Sequence, residues 1–384
     1  MHELFQIQPD LSWSFSRYME PMPSIPEYVF RNGLRIVEPY YHIYRTTVKG
    51  RWFGRTVLQV LTDEFRDYGQ DHYVRRILDD DITVLRKKKG ESEVTEYKGT
   101  ILMQLPLQSG DLFVHREHKH ERPISDRKIE IIHNDRDLLV VNKPSGIPMH
   151  PVQGYLYNTL TEILKSELGL ERLHPCNRLD RLTSGIVIIC KNFESASYYQ
   201  KSVQNHDFTK EYIARVDGKF PQALVECKDD VVVLDTKRKS DGLIRRDAET
   251  HFEVLKYSDS LDQSIVLCQP ITGRTHQIRI HLRNVGHAIV NDPLYNPRLN
   301  HLLRHGGDVN FTTDRGIDTA EREQAKRRVS LQTGHRCPEC GIQLYKEPDP
   351  ESLSMYLHAL RYTTKAENGE VLQYETPMPQ WAEI

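Results

Sequence analysis

A carboxylate between two arginines is the part of the sequence best suited to chemistry. Asp180 stands between Arg178 and Arg181, and Thr183 follows ahead of the apolar run Ile186-Val187-Ile188-Ile189. Loops that lead into a rigid scaffold often carry catalytic residues, and flanking guanidinium groups favour an ionised, oriented carboxylate. Taken alone, the segment also fits a structural Asp–Arg pair that ties down the loop.

A second polar segment contains Arg274, His276, Gln277 and Arg279 beside an apolar face. A chain that buried only hydrophobic side chains would not need so many planar polar groups in so short a stretch. Because a buried charge requires a partner, we expect Arg279 or Arg274 to pair with Asp180. A basic helix that lies on solvent is the alternative interpretation.

These segments belong to a series of motifs that resembles the RluA-type pseudouridine synthases, in the family's order. The matching motifs are Lys143-Pro144-Ser145-Gly146 with His150, Arg178 to Gly185, Lys210-Glu211-Tyr212, Gly273 to Arg279 with His281, Gly286-His287-Ala288-Ile289 with Asp292 and Tyr295, Leu357-His358-Ala359, and Thr376-Pro377-Met378-Pro379. The resemblance implies isomerisation of uridine to pseudouridine in RNA, with no cofactor and no catalytic metal.

The resemblance also implies the roles of the site residues. Asp180 is the catalytic carboxylate, either a nucleophile or a base at the ribose, and the sequence leaves both open. We expect Tyr212 to stack on the uracil and Arg279 to hold Asp180 ionised. Arg178 is expected to fill the space left by a flipped base or to contact phosphate. The other candidate RNA contacts are Arg181, Thr183, Arg274, His276, Gln277, Lys143, Arg51, Arg55, Lys87 and Lys88.

Within the family, the chain resembles the eukaryotic branch that acts on the tRNA anticodon loop at a site of the position-32 type. The shared features are Asn32-Gly33-Leu34-Arg35, Pro39-Tyr40-Tyr41, Lys49-Gly50-Arg51-Trp52, Pro175-Cys176-Asn177 and the insertion with Cys337 and Cys340. We therefore expect tRNA as the partner, with rRNA and mRNA left open. Asn177 departs from the family, since many members have histidine there.

The order of predicted elements indicates an α+β protein. The resemblance implies a pseudouridine synthase fold, with a mixed, mostly antiparallel central β-sheet flanked by helices and loops and preceded by a small S4-like α/β module. We expect an extended arm at 1–44, because its prolines suit neither a helix nor a central strand. The S4-like RNA-binding module is expected at 45–115 and the catalytic domain at 116–384, with a polar insertion at about 296–354.

Net charge alone argues against a nucleic-acid partner, because 52 basic and 54 acidic residues give a formal charge of −2. The distribution is uneven: the stretch from Arg45 to Lys89 holds eleven basic and seven acidic residues. A local basic groove can lie on a near-neutral protein, so we expect RNA to bind through such grooves. Trp52, inside this stretch, is either a stacking residue or part of a core.

The absence of a run of 18 apolar residues predicts no transmembrane helix, and the N-terminus lacks the pattern of a secretory signal or transit peptide. We expect a cytoplasmic monomer, with nucleus and mitochondrion left open. Six cysteines without a disulfide framework fit a reducing compartment. Cys337 and Cys340 are expected to be two thiols in a turn, and half of a zinc knuckle is the alternative.

Three other functions fit parts of the sequence: a non-catalytic RNA-binding or RNA-chaperone module, a zinc-dependent scaffold around Cys337 and Cys340, and a hydrolase. The set of Asp180, Tyr212 and Arg279 argues against a binding module, because a binder has no need of the carboxylate. A hydrolase is the weakest of the three, because the sequence has no nucleophile-elbow or metal-ligand pattern.

Overall fold

The computed structural model describes residues 26–65, 68–87, 93–152, 154–204, 208–234, 243–299, 332–365 and 369–384. The chain forms two compact units. Of the described residues, the first unit contains 26–28 and those from Val37 to His120, and the second contains Val29–Ile36 and those from Glu121 to Ile384. None of the helices in the described ranges is long and apolar enough to cross a membrane.

Strands outnumber helices in the described residues. The α-helices are α1 (Val57–Val60), α2 (Gln70–Leu78), α3 (Leu160–Leu168), α4 (Phe193–Gln204) and α5 (Gln277–Asn284). The strands are β1 (Tyr28–Arg31), β2 (Leu34–Val37), β3 (Tyr40–Thr47), β4 (Ile82–Lys87), β5 (Val94–Tyr97), β6 (Leu112–Lys119), β7 (Ile124–Ser125), β8 (Glu130–Asn134), β9 (Leu138–Lys143), β10 (His174–Pro175), β11 (Ser184–Cys190), β12 (Thr209–Asp217), β13 (Val225–Cys227), β14 (Val231–Leu234), β15 (Leu243–Arg246), β16 (Thr250–Ser258), β17 (Gln263–Pro270), β18 (Gln332–Arg336), β19 (Gln343–Tyr345), β20 (Leu357–Lys365) and β21 (Val371–Glu375).

The first unit is an antiparallel sheet in the order β3-β6-β4-β5 with helices packed against it. Helix α1 begins at a capping box, in which the Thr56 hydroxyl accepts from the Gln59 amide and the Gln59 side chain accepts from the Thr56 amide. Trp52 is only 3% exposed and lies in the apolar core with α1 and α2. It is therefore a core residue.

The domain boundaries expected at 44 and 115 fall inside two strands of this sheet. Strands β3 and β6 pair along their whole length, from Tyr40 with Lys119 to Thr47 with Leu112. The structure accordingly divides the chain near 37 and 120. Residues 1–25 of the expected arm lie outside the described residues, and the remainder forms β1, β2 and the start of β3.

The second unit is built on a ten-stranded sheet with the order β13-β16-β17-β12-β20-β11-β9-β8, to which β10 and β21 attach. Its described pairings are antiparallel except that between β11 and β20. Helices α3 and α5 add Leu160, Ile163, Ile278 and Leu282 to the core of the sheet. The predicted α+β class, with a mixed and mostly antiparallel sheet, is confirmed.

The parallel pairing of β11 with β20 depends on Gly185. Its φ is 114°, and a Cβ atom there would lie 2.2 Å from the carbonyl oxygen of Ala359. Only glycine allows the two backbones to come so close. Because Ala359 pairs on its other side with Tyr212 of β12, the sheet aligns the end of the Asp180 loop with that tyrosine.

Small sheets complete the second unit. Strands β1, β2 and β7 form one sheet, β14 pairs with β15, and β18 pairs with β19. Of the insertion expected at about 296–354, residues 300–331 lie outside the described residues. Residues 332–345 form the hairpin of β18 and β19.

Candidate active site

Asp180 lies on the loop between β10 and β11 and lines a cavity of about 290 Å³. Its main-chain oxygen accepts a hydrogen bond from the Thr183 amide at 3.1 Å, which closes a tight turn. Its side chain is 29% exposed, so a ligand in the cavity can reach it. The other polar residues that line the cavity are His150, Arg178, Arg181, His276 and Arg279.

Arg279 bridges two carboxylates. Its Nη1 donates to Asp180 Oδ2 at 2.7 Å, while Nε and Nη2 donate to Asp292 Oδ2 and Oδ1 at 2.8 and 2.9 Å. Burial opposes the charge, but the hydrogen bonds and charge of Asp292, with the charge of Asp180, raise the pKa of Arg279 above its usual value. The guanidinium is therefore a permanent cation that holds one oxygen of Asp180 in place.

Asp292 anchors this arginine from a fully buried position. Burial alone would raise its pKa, but the hydrogen bonds and charge of Arg279 and the amides of Leu294 and Tyr295 lower it. The carboxylate thus stays charged without water. The sequence marks Asp292 only as part of a motif, and no residue pattern indicates that it holds Arg279.

His276 stands beside Asp180 at the start of α5. Its Nε2 lies 3.5 Å from Asp180 Oδ2, and its Nδ1 is hydrogen-bonded to the Tyr295 hydroxyl at 2.9 Å. Burial is the main cause that lowers the pKa of His276, against the charge of Asp180, which raises it. A backbone φ of 57° turns this residue out of the helical path, and its ring faces the cavity.

Tyr212 lies on β12 and is 8% exposed. Its hydroxyl is hydrogen-bonded to the Tyr362 hydroxyl, which also accepts from Asn177 Nδ2 at 3.2 Å. Burial is the main cause that raises the pKa of Tyr212 to about 12. Tyr212 is therefore a neutral, fixed ring, and it does not belong to the lining of the cavity around Asp180.

Lys143, expected to contact RNA, is fully buried. Its Nζ donates to the main-chain oxygens of Pro144, Ile147 and Arg181 at 3.0, 3.0 and 3.3 Å. Burial lowers the pKa of Lys143 to about 7. The expected RNA contact is wrong, because this ammonium is used to fasten the loop after β9 to the loop that carries Asp180.

Arg178 and Arg181 line the cavity on either side of Asp180. Neither guanidinium has a hydrogen-bond partner within the described ranges, which leaves both available to a ligand. His150 lines the same cavity, and burial, then the charge of Arg178, lowers its pKa. Thr183, expected to contact RNA, is 2% exposed, so that expectation is wrong.

Two residues of the second motif turn away from the cavity. Gln277 is 3% exposed, and its side-chain oxygen accepts from Thr272 Oγ1 and the Arg274 amide. Its Nε2 donates to the Glu249 main-chain oxygen and to Thr250 Oγ1, at the start of β16. It shapes the turn before α5 and cannot contact RNA, contrary to expectation. Arg274 pairs with the exposed Asp247 at 3.3 Å, so the partner of Asp180 is Arg279.

The basic candidates of the first unit are partly engaged within it. Arg51 Nε donates to Glu64 Oε2, and Arg55 Nη1 donates to Glu64 Oε1, both at 2.8 Å. Lys87 is exposed at the end of β4, whereas Lys88 lies outside the described residues.

The arrangement presents the carboxylate of Asp180 to a polar ligand in the cavity. Arg279 holds Asp180 Oδ2, and Oδ1 has no hydrogen-bond partner in the part of the chain that the structure describes. The guanidinium groups of Arg178 and Arg181, which line the same cavity, suit a phosphate-bearing ligand. Met149, which lines this cavity, and Tyr362 were missed by sequence reasoning, because an apolar residue and a strand tyrosine carry no local signal of a site.

Comparison with known proteins bears on this site directly. Residues 137–284, which include Asp180, Tyr212 and Arg279, match the family described as RNA pseudouridylate synthase. The chain is 34% identical to the mitochondrial tRNA pseudouridine(32) synthase of Saccharomyces cerevisiae, over 93% of this chain and 79% of that protein. It is also 34% identical to the tRNA pseudouridine(31) synthase of that yeast, over 92% of this chain and 96% of that protein. It is 33% identical to RNA pseudouridine synthase 7 of Oryza sativa subsp. japonica, over 94% of this chain and 93% of that protein.

Proposed function

Because the chain belongs to the RNA pseudouridylate synthase family, it is an enzyme that isomerises uridine to pseudouridine in RNA, and we propose that its substrate is a uridine in the tRNA anticodon loop, of the position-32 type. Two yeast relatives carry names that refer to tRNA positions 32 and 31, and the chain spans most of the length of both. Its resemblance to the eukaryotic anticodon-loop branch supports the same substrate.

The observation that supports uridine isomerisation at this site is the position of Asp180, held through Oδ2 by Arg279 and open to the cavity. In the reaction the N1–C1′ bond of uridine breaks, the base turns over, and a C5–C1′ bond forms. N1 gains a proton and C5 loses one, so no redox cofactor is needed. Asp180 Oδ1 acts either as the nucleophile or as the base at the ribose, and both roles need the orientation that Arg279 imposes.

The uridine reaches Asp180 by leaving its stack. Flipping a base costs a few kcal/mol and costs least in a single-stranded loop, which favours an anticodon loop over a duplex. Arg178 and Arg181 bind the flanking phosphates in this proposal, because both line the cavity and neither is paired within the described residues. Arg178 is the better placed to fill the gap left by the base, since it is the more exposed.

Tyr212 stacks on the uracil in this proposal, and because its ring does not line the cavity around Asp180, the stacking requires the base to pass beyond that lining. Its ring is fixed by burial and by the hydrogen bond to Tyr362. A ring fixed in this way loses little conformational entropy when a base stacks on it.

The first unit serves as an S4-like RNA-binding module in this proposal. It contains the locally basic stretch of the sequence, and Lys87 is exposed at the end of β4. Arg51 and Arg55 already pair with Glu64. We therefore expect Lys87 and Lys88 to contribute more to phosphate binding than these two arginines do. Affinity for tRNA should therefore fall as salt rises.

The test replaces Asp180 with an isosteric amide. Asp180→Asn should abolish pseudouridine formation while tRNA binding survives, because the amide keeps the size of the side chain but cannot act as nucleophile or base. Asp247→Asn is the matched control, since Asp247 is 91% exposed and pairs with Arg274. Pseudouridine in total RNA is mapped in cells without the protein and in cells that carry each variant.

Each outcome of the mapping is informative. Loss of pseudouridine only at tRNA position 32, restored by the wild type and Asp247→Asn, is the expected result. Loss at another tRNA position, or in rRNA or mRNA, contradicts the proposed substrate and leaves the isomerase activity standing. Turnover by Asp180→Asn contradicts the role of Asp180, and RNA binding with no site lost favours an RNA chaperone.

The proposal includes a monomer in a reducing compartment, the cytoplasm in the first instance. Six thiols and no disulfide are consistent with that environment. The yeast relative for position 32 is named as mitochondrial, so the mitochondrion is the competing location. Light scattering of the purified chain and imaging of a tagged chain at its native locus test the two statements.

A further inference from the structure

Residues 332–345 form a hairpin with two cysteines in its turn, which we call the cysteine hairpin. Strands β18 and β19 pair antiparallel, and the turn between them contains Cys337-Pro338-Glu339-Cys340-Gly341. Cys337 and Cys340 are the buried residues of this hairpin, at 7 and 8% exposure, and its other residues are exposed or half-buried. A two-stranded hairpin without an apolar core is marginal in water, so another interaction must hold its shape.

The turn presents both thiols in one place. The Cys337 amide donates to the Ile342 oxygen and the Gly341 amide donates to the Cys337 oxygen, both at 2.9 Å. Gly341 has a φ of 72°, in the left-handed region that favours glycine. The two Sγ atoms lie within 4.8 Å of each other, and no disulfide joins them.

We infer that Cys337 and Cys340 bind a structural zinc ion as two of its four ligands. Zinc–sulfur bonds of about 2.3 Å in a tetrahedral site place two sulfurs about 3.8 Å apart, which the turn accommodates. Cys-x-x-Cys is the spacing of such sites. On binding, each thiol releases its proton to solvent and its sulfur donates an electron pair to zinc, so no redox partner is needed.

The remaining two ligands are nitrogen or oxygen atoms. The other four cysteines of the chain do not join Cys337 and Cys340 in any group of ligand atoms within the described ranges. X-ray absorption of the zinc-loaded chain should therefore give two sulfurs at about 2.3 Å and two lighter atoms at about 2.0–2.2 Å. Replacing the histidines one at a time then identifies any imidazole ligands by loss of zinc.

The first experiment measures metal in the full chain, expressed with zinc and purified without chelator. The wild type should carry one zinc ion per chain, and Cys337→Ser/Cys340→Ser should lose it. Cys227→Ser is the matched control, because Cys227 is another buried thiol of the second unit, and it should keep its zinc. Cys340→His should also keep zinc, since imidazole can replace thiolate.

The second experiment needs no variant and so does not depend on one folding. Hydrogen exchange of the wild type is compared before and after a chelator removes zinc. The amides of Cys337 and Gly341 should exchange at least about tenfold faster without zinc, while those of β11 stay unchanged.

Three results would overturn the assignment: a wild-type chain that takes up no zinc, a disulfide between Cys337 and Cys340 in its place, or equal zinc in the double serine variant. Uridine isomerisation is not among the readouts, so failure here is separate from failure of the proposed function.

Discussion

Arg279 joins two carboxylates of different exposure, since Asp292 is fully buried and the side chain of Asp180 is 29% exposed. The buried partner fixes the guanidinium with two hydrogen bonds, and the third bond is left for the carboxylate in the cavity. The geometry of Asp180 therefore depends on a residue that is buried and does not line the cavity. Lys143 works in the same indirect way, through the main-chain oxygen of Arg181.

Replacing Arg279 tests this dependence. Arg279→Gln leaves the carboxylate of Asp292 buried without its cation, so we expect a loss of about 3–5 kcal/mol in the free energy of unfolding. The turnover of the folded fraction should fall at least about a hundredfold, because Asp180 loses the bond that orients it. Urea unfolding and single-turnover kinetics on tRNA measure the two effects.

Arg361→Gln is the control for that variant. Arg361 also bridges two carboxylates, Glu211 and Glu375, but it does so at the surface. Its replacement should cost about 0–1 kcal/mol and leave turnover unchanged. Equal losses in the two variants would contradict the role given to the buried pair.

At the scale of elements, the close approach of β11 and β20 is what positions the Asp180 loop. Helix α3 shows that a local sequence signal can mark one end of a helix and not the other. Its end is marked locally, because Gly169 lies in the left-handed region at φ 65°, whereas its start has no side-chain cap. Asn158, just before that start, donates instead through its side-chain Nδ2 to the Arg122 main-chain oxygen at 3.1 Å, a contact that a local pattern does not contain.

Gly185→Ala should separate β11 from β20. The added Cβ would lie 2.2 Å from the Ala359 oxygen and 2.5 Å from its nitrogen, so the backbone must move, and we expect a loss of at least about 3 kcal/mol in unfolding free energy. Gly169→Ala is the uncrowded comparison, because Gly169 has a φ of 65° and nothing lies within 4 Å of an added Cβ, and it should cost only about 1 kcal/mol. Comparable costs measured by urea unfolding would exclude the close approach as the cause.

At the scale of the whole molecule, both units bury histidines in their neutral form. Burial is the main cause that lowers the pKa of His115 in the first unit and of His358 in the second to about 4. His358 bridges Ser184 and Thr376 by hydrogen bonds to its two ring nitrogens. Both units should therefore lose stability in mild acid.

His115→Gln tests the effect in the first unit. The unfolded chain takes up a proton at this histidine near pH 6.5 and the folded chain only near pH 4, so the free energy of unfolding should fall as pH drops between these values. The contribution of His115 is at most about 3 kcal/mol. Urea unfolding from pH 7 to pH 4 should show a smaller loss for the variant than for the wild type, and equal losses would contradict the prediction.

Much of the architecture was predictable from local pattern. The order of predicted elements indicated the α+β class, and the motif series indicated the family and the uridine chemistry. The first unit was less predictable, because β3 and β6 pair across most of its length in sequence and neither strand marks a boundary by its composition. The boundaries expected at 44 and 115 therefore fall inside β3 and β6.

The sequence by itself determined the reaction class, because the types and order of the motif residues are local properties of the chain, and for the same reason it predicts Asp180 as the residue at the centre of the site. Only the tertiary structure decided that Arg279 and not Arg274 pairs with Asp180, and that Lys143, Thr183 and Gln277 point inward. The physical reason is that burial and hydrogen-bond partners arise from segments far apart in sequence, such as Arg279 with Asp180. Whether a polar side chain contacts a ligand or forms hydrogen bonds inside the fold depends on which segments pack over it.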